Sequence, residues 1–134
     1  MQAIVEQEAA DRLATARLVP AREDETGVVL DVLFASSGIE SEIVSEADTL
    51  EVLPKLRVPV ASIGHLIALK ILARDDRARP QDRVDLVALL AAAAPADIGQ
   101  ARVALGLIEQ RGFHRNKALA AELEHLLREN HRRL

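Results

Sequence analysis

The pattern of apolar and polar residues changes along the chain from one typical of strands to one typical of helices. In the first part, the segments 13–19 and 28–34 are apolar runs, and the charged segment between them contains Pro20 and Gly27. Two apolar runs on either side of a segment with proline and glycine are typical of a β-hairpin. The sequence therefore predicts two paired strands here.

The next stretch predicts a short helix and then short strands. Ser37 stands three residues before Glu40, which is the spacing of a capping box, and the apolar residues that follow suit one face of a helix over about 38–47. Two prolines then exclude a long regular ladder, because proline has no N–H to donate. We expect only short edge strands, around Val52 and 58–60.

From residue 62 onward the apolar residues recur with a helical period. Ser62 is a suitable N-cap for a helix over about 63–74. A proline stands at the first position of each of the next two predicted helices, about 80–92 and 95–112, and a fourth runs over about 117–130. The sequence thus predicts an α+β fold, with a β-rich segment 1–61 and a helical segment 62–134 in one structural domain.

Composition excludes several classes of function. The chain has 134 residues, enough for one domain, and no cysteine, which excludes disulfides, thiol nucleophiles and zinc–thiolate sites. Two aromatic residues and a net charge of −4 argue against a single-strand nucleic-acid platform and a general polyanion binder. No apolar run approaches the roughly 20 residues that span a bilayer, and no signal peptide is evident. We expect a cytoplasmic protein with no membrane partner.

Asp31 is the first candidate for chemistry, because it lies in the middle of the apolar run VVLDVLF. A buried, unpaired carboxylate costs several kcal/mol, so this residue requires a divalent metal, an arginine or access to solvent. A structural salt bridge or an exposed face is one interpretation. A role as a metal ligand or general base is the other.

Lys70 is the second candidate, because its ammonium lies within the apolar helical segment IGHLIALKILA. Asp82 and Asp85 share one face of the following helix and are placed to receive it. One interpretation is an interhelical salt bridge; the other is a cation directed at a phosphate and oriented by the two carboxylates. Arg74 and Arg77 would raise the positive potential nearby, unless they are simply solvated.

The segments DVLFASSGIESEIV and LRVPVASIGHLIALKILARDDRARPQDRVDLVALL resemble the nucleotidyltransferase family of the AbiEii/AbiGii toxins and their minimal-nucleotidyltransferase relatives. The likeness covers most of the chain. Its most specific part is a pattern of lysine, small residue, arginine and paired aspartates: Lys70, Ala73, Arg77, Asp82 and Asp85, followed by Leu86.

The resemblance implies roles for these residues. In that family, two acidic residues on one strand and a third on a neighbouring strand bind Mg²⁺ for nucleotidyl transfer, and Asp31 matches the third. It would thus be both a catalytic residue and a metal ligand. The resemblance also implies that Lys70 approaches the nucleotide phosphates, held in place by Asp82 and Asp85. We add Arg74 and Arg77 as candidate substrate-binding residues beside it.

The chain also departs from the family. Such enzymes begin with a glycine-rich turn that binds the triphosphate and a D-x-D carboxylate pair, and nothing in residues 1–30 corresponds to either. Because Asp31 alone cannot hold two cations, we expect weak or no Mg²⁺ binding and little or no activity from this chain. We expect a truncated, C-terminal portion: an incomplete nucleotidyltransferase-like sheet, a hairpin plus short edge strands, followed by a four-helix region.

Two functional hypotheses follow. In the first, the intact protein transfers a nucleoside monophosphate from a Mg²⁺-bound nucleoside triphosphate to an RNA or protein acceptor. Its partners would be the nucleotide, RNA in the intact form, and either a second copy of the chain in a homodimer or a complementing N-terminal polypeptide. In the second, the chain is a non-catalytic module in which the four predicted helices of residues 62–134 form a partner-binding or dimerising surface, and Asp31 is a structural carboxylate.

Overall fold

The computed structural model describes residues 2–7, 14–19, 29–33, 35–78 and 80–133. Within them it contains five strands and five helices, which confirms the α+β fold class. The chain forms two compact units, Met1–Ser36 and Ser37–Leu134. The last strand ends at residue 60 and the next helix begins at residue 63, close to the predicted boundary between the β-rich and helical segments. Residues 37–60, which include two strands, nevertheless belong to the second compact unit. The division into 1–61 and 62–134 stays a prediction.

The first unit contains an antiparallel sheet of three strands, in the order β1 (Gln2–Gln7), β2 (Ala14–Val19) and β3 (Leu30–Leu33). Pairing of β2 with β3 confirms the predicted hairpin. Strand β1 was not predicted, because QAIVEQ mixes three apolar residues with polar glutamine and glutamate. The predicted turn over 20–27 lies outside the described residues, as do the ends of the predicted second strand at 28 and 34.

In the second unit, β4 (Asp48–Leu53) and β5 (Leu56–Val60) pair with each other as a separate antiparallel hairpin. The expectation of short strands here is confirmed. The tight turn between them contains Lys55, whose φ of 65° is unusual for a residue with a side chain. Since no glycine or asparagine occupies that position, the sequence does not carry the usual signal of a hairpin.

The five helices lie close to their predicted positions. They are α1 (Glu40–Ser45), α2 (Ile63–Ala73), α3 (Pro80–Ala92), α4 (Pro95–Gln110) and α5 (Leu119–Arg133). Ser62 caps α2 by accepting a hydrogen bond from the backbone N–H of His65 at 3.3 Å, which confirms its predicted role. None of the described helices is both long and apolar enough to cross a membrane.

Helix α1 is shorter than predicted. The backbone of Gly38 is left-handed, with a φ of 77°, so the helix cannot begin there, and Ile39 is its N-cap residue. The Glu40 carboxylate accepts hydrogen bonds from the backbone N–H of Ser37 at 2.6 Å and from its hydroxyl at 2.8 Å. The Ser37–Glu40 contact is therefore present, but the serine hydroxyl does not cap the helix.

Helix α2 lies at the centre of the helical core and packs against α3, α4 and α5. Its apolar residues are buried almost all the way round, which is typical of a helix surrounded by others. The largest fully buried side chains of the core are Ile39, Ile67, Ile71, Leu86, Leu105, Ile108, Leu119 and Leu123. This core fixes where the end of α2 and the start of α3 meet.

Close contact between α2 and α4 depends on Gly64. A Cβ atom at this position would lie 2.6 Å from the carbonyl oxygen of Asp97 and 2.8 Å from the Cβ of Gln100. We expect Gly64→Ala to lower the free energy of unfolding by about 1–3 kcal/mol, as overpacking does. Gly106→Ala in α4 is the matched control: nothing lies within 4 Å of its new methyl group, and we expect stabilisation of about 0.5–1 kcal/mol. Urea denaturation of both variants checks the prediction, and equal effects would contradict it.

Candidate functional site

Lys70 lies in the last turn of α2, and its ammonium reaches across to the start of α3. The Nζ atom donates to Oδ1 of Asp82 at 3.0 Å and to Oδ2 of Asp85 at 2.9 Å. Pro80 begins α3, so the two aspartates, three residues apart, fall on the same face of its first turns. The structure thus brings together the three residues that the sequence had placed on neighbouring helices.

The charges in this cluster stabilise each other. The hydrogen bonds to Asp85 and Asp82 raise the pKa of Lys70, and the hydrogen bond from Lys70 lowers the pKa of Asp85. Both shifts favour the charged forms of Lys70 and Asp85. An ammonium has three N–H donors, and the aspartates use two of them. The Lys70 side chain is 33% exposed, so its remaining donor is accessible to a ligand.

Arg74 lies at the C-terminal end of α2. The sequence left open that its side chain is simply solvated, but in the structure the guanidinium is paired with carboxylates. Its guanidinium makes a bidentate pair with Asp76, at 2.6 Å and 2.5 Å, and a third contact with Glu122 of α5 at 2.9 Å. Only 14% of its side chain is exposed. These contacts hold Arg74 in one orientation one turn beyond Lys70.

Arg77 lies in the turn that connects α2 to α3 and is exposed. The turn is shaped by Asp75, whose carboxylate accepts the backbone N–H groups of Arg77 at 3.0 Å and Ala78 at 3.1 Å. These two backbone hydrogen bonds, led by that from Ala78, lower the pKa of Asp75. Arg77 is thus presented to solvent from an ordered turn beside the Lys70 cluster.

Sequence reasoning missed Lys117, which lies between α4 and α5. Its Nζ atom donates to the carbonyl oxygens of Leu72 and Arg74, both at 2.8 Å, at the end of α2. A signal was present: no glycine follows α2, so its last carbonyl groups need another donor. The donor comes from far along the chain, which a local pattern does not reveal.

Asp31 lies on β3, in the unit Met1–Ser36, whereas Lys70 belongs to the unit Ser37–Leu134. Asp31 is exposed, and its Cα partner on β2 is Arg17. Solvent is therefore available to its carboxylate, and an arginine stands directly opposite in the strand register. Because Asp31 is exposed, its carboxylate does not need a metal ion to offset the cost of burying its charge. Its role as a metal ligand therefore rests on the family resemblance alone.

A resident Mg²⁺ requires oxygen ligands, and the carboxylate of Asp31 is chemically suitable. Among the described side chains, however, no group of three or more histidine, cysteine, aspartate or glutamate residues is placed to hold a metal ion. Mg²⁺ commonly takes one or two protein carboxylates together with water and substrate phosphates. One carboxylate does not make a two-cation site, so the described residues do not amount to a complete metal centre.

The comparison with protein families agrees with the pattern around Lys70. Residues 5–134 match the family described as nucleotidyl transferase AbiEii toxin, of the type IV toxin–antitoxin systems. The chain belongs to this family. No curated protein matches the sequence at a significant level.

Membership of the AbiEii family confirms the resemblance that the Lys70 and aspartate pattern indicated. It identifies the protein as nucleotidyltransferase-like and as related to the toxins of toxin–antitoxin systems. Nucleotidyltransferases bind nucleoside triphosphates and generally use Mg²⁺, and a toxin–antitoxin system implies an antitoxin as counterpart.

Proposed function

We propose that this protein acts in nucleotidyl transfer, and that the intact form moves a nucleoside monophosphate from a Mg²⁺-bound nucleoside triphosphate to an RNA or protein acceptor. In this proposal Lys70 contacts the phosphates of the nucleotide. Asp82 and Asp85 orient its ammonium, and Arg74 and Arg77 contribute to substrate binding.

The ammonium of Lys70, held between two carboxylates, is the observation that carries the proposal. An ammonium fixed at 2.9 Å and 3.0 Å from two partners, with one donor remaining and a third of its side chain exposed, is preorganised for a phosphate oxygen. The cluster lies within residues 5–134, which match the AbiEii family.

The charges around Lys70 also define the form of the ligand. One ammonium stands beside two carboxylates, so these three groups together carry a net charge of −1, which disfavours a bare triphosphate relative to its Mg²⁺ complex. A nucleotide that carries Mg²⁺ brings part of its own neutralisation. The proposal therefore requires the Mg²⁺ complex of the nucleotide as the ligand, rather than the free nucleotide.

Asp31 is proposed as a carboxylate that binds Mg²⁺, and thermal unfolding tests its role. If this chain retains a residual nucleotide site, Mg²⁺ with ATP at a concentration well above the Kd should raise its melting temperature, because a ligand that binds only the folded state stabilises it. Asp31→Asn is expected to reduce this rise. Asp48→Asn, which removes another exposed strand aspartate, is the matched control and should leave it unchanged.

Two results would contradict these assignments. If Mg²⁺ and ATP leave the melting temperature of the wild-type chain unaltered, the nucleotide site is wrong. If the wild-type chain responds and Asp31→Asn responds equally, only the metal-ligand role of Asp31 fails.

Exposed apolar residues favour a second candidate function, a partner-binding or dimerising module. Leu33 on β3 is 68% exposed and Leu53 on β4 is 58% exposed, and both lie among other exposed apolar residues of their strands. Apolar strand residues that face water are typical of a surface that pairs with another chain. Light scattering at high concentration tests this candidate, and a sharp monomer would argue against it.

A further inference from the structure

We infer that Lys117 is a positioning residue for the nucleotide site: through the backbone at the end of α2, it sets the placement of Lys70 and Arg74. This inference rests on the proposed function, in which Lys70 contacts the phosphates. Lys117 itself makes its contacts with protein carbonyl groups and is not assigned to the ligand.

The end of α2 depends on Lys117 for its hydrogen bonds. The last four carbonyl groups of an α-helix have no partner within the helix. Arg74, which follows α2, has φ and ψ of −55° and 127°, so the chain leaves the helix in an extended conformation without a left-handed cap. Lys117 donates to Leu72 and Arg74 at 2.8 Å each and places a positive charge at the negative end of the helix dipole.

The turn before Lys117 is held in a costly conformation. Arg115 and Asn116 both have positive φ, 55° and 59°, and the backbone N–H of Lys117 donates to the carbonyl of His114 at 2.9 Å. Positive φ is unfavourable for a residue with a side chain, and less so for asparagine. Surrounding structure must over-determine such a turn for it to persist, and turns of this kind concentrate at functional sites.

Helix α5 provides a second contact with Arg74, in addition to the one that Lys117 makes with its carbonyl group. Glu122, in the first turn of α5, receives Arg74 at 2.9 Å, while Lys117 holds the Arg74 carbonyl. The backbone and the side chain of Arg74 are therefore both fixed from the region where α5 begins. Lys70 lies one helical turn before Arg74, so loosening this end of α2 moves both cations relative to Asp82 and Asp85.

The experiment measures Mg²⁺–ATP affinity by isothermal titration calorimetry on the full chain, well below its melting temperature. Lys117→Met retains the aliphatic stem and removes the donors, and we expect its affinity to fall by about 10-fold or more, as loss of an orienting contact commonly does. Lys117→Arg restores a cation with several donors and is expected to recover most of the affinity. Ile108→Val, a mild truncation in the core, serves as the stability control, with unchanged affinity.

Each outcome decides the inference. A selective loss in Lys117→Met, recovered in Lys117→Arg and absent in Ile108→Val, supports it. If the wild-type chain binds Mg²⁺–ATP and Lys117→Met binds equally well, the inference fails and the proposed function stands. It also fails if Ile108→Val and Lys117→Met have the same urea midpoint and lose the same amount of affinity. If the wild-type chain does not bind Mg²⁺–ATP, the proposed function fails and this inference fails with it.

Discussion

Replacing Lys70 with methionine is expected to abolish measurable binding of Mg²⁺–ATP and to lower the free energy of unfolding by about 1–3 kcal/mol. Binding is lost because the ammonium that is proposed to contact the phosphates is removed from the last turn of α2. Stability falls because Asp82 and Asp85 lose the charge between them, and the Asp82 side chain is only 14% exposed. Calorimetric titration and urea denaturation measure the two effects separately.

A double variant separates the structural role of Lys70 from its functional one. In Lys70→Met with Asp82→Asn, the less exposed of the two carboxylates is neutralised, so we expect much of the lost stability to return without recovery of Mg²⁺–ATP binding. Lys55→Met removes an exposed lysine from the β4–β5 turn and should change neither quantity. Normal binding by Lys70→Met would show that the ion pair only joins α2 to α3.

Leu105→Ala is expected to have the largest effect on stability, a loss of about 2–5 kcal/mol. Leu105 is fully buried in α4 within the helical core, so its truncation removes apolar contacts and leaves a cavity. Leu33→Ala makes the same chemical change at an exposed position of β3 and should cost less than about 0.5 kcal/mol. Urea denaturation of both variants gives the comparison.

Comparison of Leu33→Ala with Leu105→Ala tests whether strand β3 is exposed to solvent in solution. If Leu33→Ala destabilises the protein as much as Leu105→Ala, then β3 is covered in solution, and a second copy of the chain is the first partner to examine. A concentration-dependent midpoint for the wild-type chain would then be expected, because association stabilises the folded state.

Local signals in the sequence were sufficient to predict the helices. Pro80 and Pro95 mark the first residues of α3 and α4, and Ser62 caps α2, because the end of a helix imposes requirements on a few neighbouring residues. The approach of Lys70 to Asp82 and Asp85 could also be predicted from the sequence. It follows from two adjacent helices, each with its charges on a known face.

Features that depend on distant parts of the chain could not be predicted from local sequence signals. The ammonium of Lys117 meets the end of α2 from more than forty residues away, and Glu122 meets Arg74 over a similar separation. Strand β1 is defined by its pairing with β2 rather than by its own composition. The turn at Lys55 has a residue type that turns of its conformation seldom use.

Asp31 shows the limit of an argument from sequence neighbours. Apolar residues on both sides suggested that its carboxylate requires a partner, yet in β3 those neighbours are themselves exposed. A short strand with few neighbours leaves both of its faces accessible, and the alternation of side chains cannot show this. The candidate role of Asp31 in metal binding therefore depends on experiment.

Chemical-shift mapping by NMR on the ¹⁵N-labelled full chain, titrated with Mg²⁺–ATP, tests the location of the nucleotide most directly. The account predicts that the perturbed amides cluster at Lys70, Arg74 and the turn through 78, and at the first turns of α3. It also predicts that the Lys70→Met variant shows no such cluster. Perturbations confined to other elements, or unchanged in that variant, would contradict the assignment of the nucleotide site to Lys70.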